Sequence, residues 1–97
     1  MTDRIRIDKW LWHARFAKTR AIAQSTATSG LIRLNNSRVV KSRAEVRPGD
    51  VLTLPRGRDV LVVRIEACGI RRGPAREAEA LYAVLDEETL DRAAARP

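Results

Sequence analysis

Lys9, Arg15, Lys18 and Arg20, with Gln24 close behind, place four cations and an amide within one stretch, RIDKWLWHARFAKTRAIAQSTATSG, residues 6–30. Side chains of this kind contact phosphates, and each phosphate neutralised releases counterions and adds salt-sensitive affinity. Arg33 and Arg38 fall at outward positions of the segment that follows, and Arg38, Lys41 and Arg43 could extend a basic surface along a sheet edge. Other chemistries find little support. His13 has no carboxylate at a recognisable spacing and no nucleophile motif beside it. Cys68 is the single cysteine, so it forms no internal disulfide, and with one imidazole in the chain it cannot complete a protein-only zinc site. Glu77 and Glu79 read as solvated or helix-dipole residues, and no glycine-rich loop leads from a strand into a helix. The expectation is a protein that binds and does not catalyse, with no cofactor and no metal.

Two short helices must position the cations. The first is expected to begin at Asp8, whose carboxylate can accept from the N–H groups of the first turn. Ile7, Leu11 and Ala14 then fall on one apolar stripe. The second is expected to be capped by Thr19, whose first-turn N–H groups also suit an anion, and to stop at Gly30. Met1 to Ile5 reads as a short polar lead, poorly ordered apart from Arg4. LIRLNNSRVV reads as a hairpin turning at Asn35-Asn36, with Ile32 and Leu34 on one strand and Val39 on the other. KSRAEV reads as a polar connection, and Val46 to Asp50 as a turn built on Pro48 and Gly49. A strand VLTL is followed by a reversal from Pro55 to Asp59. The strand VLVVRIEA after it looks buried on both faces for part of its length. A basic loop runs from Gly69 to Gly73. Pro74 opens a third helix with Ala78, Leu81 and Tyr82 as its stripe, and Asp86 caps a final short helix.

A chain of 97 residues makes one domain with a modest core. No apolar run nears the roughly 18 residues of a membrane span, and no secretory signal is visible, so a cytoplasmic protein is expected. The net charge of +7 points to a polyanionic partner. Residues 1–49 hold eleven Lys/Arg against three Asp/Glu, a net of +8, and residues 50–97 hold eight against nine. All of the excess is in the first half. The basic residues do not lie opposite a broad apolar face on one helix, which argues against a membrane partner.

RIDKWLW, ARFAKTRAIA, GLIRLNN and VRPGDVL, in that order, resemble the S4 RNA-binding domain, the α-L motif, over Arg6 to Leu54. The doubled tryptophan of DKWLW and the later RRGPAREAEALY more narrowly resemble the ribosome-associated fifteen-kilodalton heat-shock protein family. The resemblance implies an α+β fold in which two short N-terminal helices pack on a small antiparallel sheet. Residues 6–54 would form the RNA-binding core, and residues 55–97 additional strands and a C-terminal helical segment. It implies binding to structured RNA, chiefly ribosomal RNA of the large subunit, in rescue or recycling of stalled subunits after heat stress, by a protein monomeric when free. It carries over to Arg6, Lys9, Arg15, Thr19 and Arg20, with Arg15 and Arg20 placed where the helices meet and able to clamp a phosphate with two bonds.

Some positions depart from the family pattern. Asn36 stands where glycine is usual, Thr26 and Ala27 where larger apolar residues stand, and Lys41-Ser42 where Pro-Ser is common, and an acidic helix is expected where the family has a long basic tail. Trp10 and Trp12 project about 200° apart on a helix. Either one is core and the other flanks the RNA, where stacking on a base is worth about 1–3 kcal/mol, or both pack with Phe16 and the C-terminal helix. Cys68 reads as a small core residue. Two other functions fit the helix pair: a helix-turn-helix DNA-binding module, and an accessory RNA-binding subunit of an RNA-modifying enzyme.

Overall fold

The structure, a computed structural model, describes residues 3–56 and 59–85. In chain order it contains β1 (Ile5–Arg6), α1 (Ile7–His13), α2 (Arg20–Ala27), β2 (Arg33–Leu34), β3 (Ser37–Arg38), β4 (Glu45–Val46), β5 (Val51–Arg56), β6 (Asp59–Ile65), α3 (Ala75–Glu79) and β7 (Tyr82–Val84). Five strands form an antiparallel sheet in the order β3-β2-β5-β6-β7, and β1 pairs separately with β4.

The helix pair takes its shape from local signals. Ile7, Leu11 and Ala14 are buried as one stripe, and α1 ends where Arg15 turns to φ +67°. Thr19 caps α2, its hydroxyl accepting from the Ile22 N–H at 3.0 Å, and Gly30 follows at φ +85°. Ala23 and Ala27 face the core. Thr26 lines a partly open cavity of about 470 Å³ with Leu11, Phe16, Leu54 and Tyr82.

The hairpin turns on two left-handed residues, Asn35 at φ +50° and Asn36 at φ +74°, the geometry that matches the twist of its flanking strands. Arg33 lies opposite Arg38 and Leu34 opposite Ser37. The Asn35 amide donates to Asp50 at 3.1 Å, while its carbonyl accepts from the Val51 N–H at 2.9 Å. Asp50 closes the Pro48-Gly49 turn by accepting from the Arg47 N–H. The two turns therefore hold each other.

Several sequence expectations are corrected. The lead before α1 is not loose: Ile5 and Arg6 pair with Val46 and Glu45, which makes a strand of a segment read as connection. Pro55 belongs to β5, beyond the reach of β2, which pairs only with Leu52 and Thr53; such an edge position tolerates proline. β6 buries one face along its length: Leu61, Val63 and Ile65 are buried, and on the other face Val62 is half-buried while Val60 and Arg64 are exposed. α3 is a single short stretch, and Tyr82, expected on it, opens β7. The helix expected from Asp86 lies outside the described residues. No helix among the described residues is long and apolar enough to cross a membrane.

Candidate nucleic-acid interface

The candidate interface is built around a carboxylate. Asp8 sits inside α1, where Arg6 occupies the capping position, so the expected cap is corrected: its side chain is 0% exposed and serves as an anchor. The Arg6 guanidinium grips it with two bonds, Nε to Oδ1 at 3.1 Å and Nη2 to Oδ2 at 3.0 Å. From α2, Arg20 Nη2 reaches the same Oδ2 at 3.4 Å, and the Lys9 N–H donates to Oδ1 at 2.8 Å. Burial alone would raise the Asp8 pKa. The Arg6 and Gln24 side chains and the charges of Arg6 and Arg20 outweigh it and hold the carboxyl below its usual range.

The guanidiniums remain partly in water, with Arg6 and Arg20 side chains 47% and 38% exposed. Arg6 is held by two bonds and Arg20 by one, the Arg20 Nε lying closed from solvent with no acceptor among the described residues. Thr19 Oγ1 satisfies the Ile22 N–H, and within α2 the N–H groups of Arg20 and Ala21 have no acceptor, beside the arginine just described. A helix start of this kind favours an anion.

The structure brings some of the sequence-derived residues together and separates others. Arg6, Arg20 and Gln24 converge on Asp8. The Ile7 and Asp8 N–H groups donate to the Ala44 and Ser42 carbonyls, which lays the connection bearing Lys41 and Arg43 against the start of α1. Lys41, Arg43 and Arg38 line an open groove with Val40 and Leu34. Lys9 and Lys18 are exposed on the helix pair. Arg33 and Arg38 form a separate exposed pair across the hairpin, like charges whose repulsion a phosphate would relieve. Arg15 is turned the other way: its Nε donates to the Gly73 carbonyl at 2.8 Å. It does not share a partner with Arg20.

Of the two tryptophans, Trp10 is fully buried and donates from Nε1 to the Ala67 carbonyl at 2.9 Å, while Trp12 is half-buried. Phe16 and Tyr82 pack with Trp10, their ring centroids 5.8 and 6.4 Å from it. His13 is buried, and the tautomer with its proton on Nδ1 donates to the Cys68 carbonyl at 3.2 Å. Burial pushes the imidazole below its ordinary pKa against the effect of that bond, and the charges of Lys9 and Arg20 add to the shift. Burial pushes the Cys68 thiol up, away from the reactive thiolate.

Residues 5–52 match the S4 domain model. Heat shock protein 15 of Escherichia coli is 41% identical over 87 residues, 90% of this chain and 62% of that protein. The RQC P-site tRNA stabilizing factor of Bacillus subtilis is 33% identical over 86 residues, 89% of this chain and 98% of that protein. The trimeric structure of Vibrio cholerae heat shock protein 15 superposes with a TM-score of 0.82 at 34% identity, covering 95% of this chain and 92% of that one. The chain belongs to the S4-domain family that includes heat shock protein 15.

As an S4-domain protein it spans about three fifths of the length of its heat shock protein 15 relatives, 59% for the Haemophilus influenzae homolog. The S4 match contains Asp8 and every arginine and lysine named for the candidate interface, and it stops short of the Ala67, Cys68 and Gly73 carbonyls that Trp10, His13 and Arg15 engage. Sequence reasoning missed Asp8 as the organiser. The available signal was a lone acid inside the most basic stretch of the chain.

Proposed function

We propose that this S4-domain protein binds folded RNA without catalysis, using the helix pair as an α-L motif, and that its target is ribosomal RNA of the large subunit during rescue of stalled subunits. One observation carries the reading: a buried carboxylate on α1 holds guanidiniums from the starts of both helices, so that two arginines and the start of α2 present donors in one place. Fixed guanidiniums suit phosphates, whose oxygens accept paired bonds. The ribosomal part of the reading is supported by likeness. The Bacillus subtilis relative is named for stabilizing a P-site tRNA in RQC, and the Escherichia coli relative is a heat shock protein. We place the protein in the cytoplasm, where such a target resides.

Co-sedimentation with purified ribosomal subunits at moderate salt tests the proposal. Wild type is expected to pellet with the large subunit. Arg20→Ala is expected to remain largely in the supernatant, and Lys9→Ala/Lys18→Ala, at exposed positions that leave the fold intact, to shift binding to lower salt with the slope of log affinity against log salt reduced by about one per lost phosphate contact. Equal or tighter binding to duplex DNA would favour the helix-turn-helix reading and overturn this one.

A further inference from the structure

The segment from Ala67 to Gly73, between β6 and α3, is fastened by three side chains, two on α1 and the third that of Arg15, just beyond its end. Trp10 Nε1 donates to the Ala67 carbonyl, His13 Nδ1 to the Cys68 carbonyl, and Arg15 Nε to the Gly73 carbonyl, at 2.9, 3.2 and 2.8 Å. Gly69, at φ +77°, packs so closely that a Cβ there would lie 3.0 Å from Leu81 and 3.4 Å from His13 Nδ1. A loop held in this way has lost its backbone freedom before any partner arrives. Yet Ile70 at its tip is 94% exposed. The fold leaves this apolar side chain in water on a loop it has otherwise fixed.

The neighbours of Ile70 indicate what would cover it. Arg71 is paired with Glu77 at 3.2 and 2.6 Å. Arg72 is half-buried, and its Nε is closed from solvent with no acceptor among the described residues. The loop also adjoins the cationic face. His13, which touches it, stands one turn after Lys9 on the same side of α1, and Trp12, half-buried, packs its ring 5.6 Å from that imidazole. A basic, immobilised prominence continuous with a phosphate-binding face suits a second stretch of the same polyanion better than a protein surface.

We propose that the Ala67–Gly73 loop is a second RNA contact, in which Arg72 meets the phosphate backbone beside the helix pair and Ile70 packs against an unpaired nucleotide. This rests on the reading that the helix pair binds RNA. It extends the interface beyond the S4 match, to a loop positioned by α1 itself. Apolar side chains inserted beside bases and arginines on the adjoining phosphates are a recurring combination in nucleic-acid binding.

The test uses purified large ribosomal subunits and the full chain. Ile70→Ser and Arg72→Gln are each expected to weaken co-sedimentation about three- to tenfold with no change in thermal midpoint for Ile70→Ser, since that side chain touches little of the fold. A photo-crosslinking p-benzoylphenylalanine in place of Ile70 is expected to attach to ribosomal RNA, and the same group in place of Val60, exposed on the sheet, is not. Loop variants that bind like wild type while Arg20→Ala does not would overturn the loop proposal alone, as would a crosslink from position 70 to a ribosomal protein. Failure of the wild type itself to bind would overturn the helix-pair reading, and this proposal with it.

Discussion

Removing a negative charge from a basic surface ordinarily tightens its hold on phosphate, and Asp8 is expected to reverse that sign. Its carboxylate is what fixes Arg6 and Arg20. Asp8→Asn raises the net charge but should weaken binding to large subunits about tenfold, or ~1.4 kcal/mol, because two guanidiniums regain their freedom. Glu45→Gln, at an exposed acid paired with Arg4, raises the charge equally and should leave binding equal or slightly tighter, so measuring both variants at one salt concentration separates position from charge. His13 offers a second residue-scale test. Its imidazole is held below its ordinary pKa of about 6.5 by burial, so the unfolded chain takes up a proton first as pH falls. Stability from neutral His13 is therefore present above about pH 6.5 and lost below it. The thermal midpoint should fall between about pH 7.5 and 5.5 in wild type and stay nearly level in His13→Gln. The depressed Asp8 acts lower, losing its contribution as pH falls below about 3.9.

At the scale of elements, the hairpin gives a sharp comparison. Asn36 holds φ +74°, where a side chain with Cβ costs roughly 1–2 kcal/mol and asparagine or glycine less. Asn36→Gly should leave stability level or raise it. Asn36→Ala should lower the thermal midpoint by about 4–8 °C per kcal/mol in a domain of this size, readable by circular dichroism. Elements of this kind were legible in the sequence because their causes are local: the Ile7, Leu11 and Ala14 stripe, the Thr19 cap, Asn35-Asn36 and Pro48-Gly49 each act within a turn. What was not legible depends on residues far apart in the chain. Nothing near Ile5 announces Val46, and nothing within α1 announces that Asp8 will be enclosed by an arginine twelve residues on. Leu81 and Tyr82 continue a plausible helical stripe, yet the open edge of β6 takes Tyr82 into a strand. The cationic positions could be read from residue type, whereas their grouping around one carboxylate needed the fold.

For the whole molecule, charge and architecture divide unevenly. The first half carries the net of +8, but its core residues Ile7, Trp10, Leu11 and Ile32 are buried together with Leu61, Val63 and Ile65 of the second half. A fragment ending at residue 54 would keep the S4 match and nearly all of the basic interface while exposing that core. It should show little ordered helix by circular dichroism and bind large subunits far more weakly than the full chain; a folded, binding fragment would contradict this. The fastening of α1 to the Ala67–Gly73 loop also sets an order of events during synthesis. The carbonyls that receive Trp10, His13 and Arg15 are made 57, 55 and 58 residues after them. A chain proposed to grip ribosomal RNA thus makes its basic helices first and secures them last, so the half-made protein is expected to leave the ribosome that is translating it ungripped.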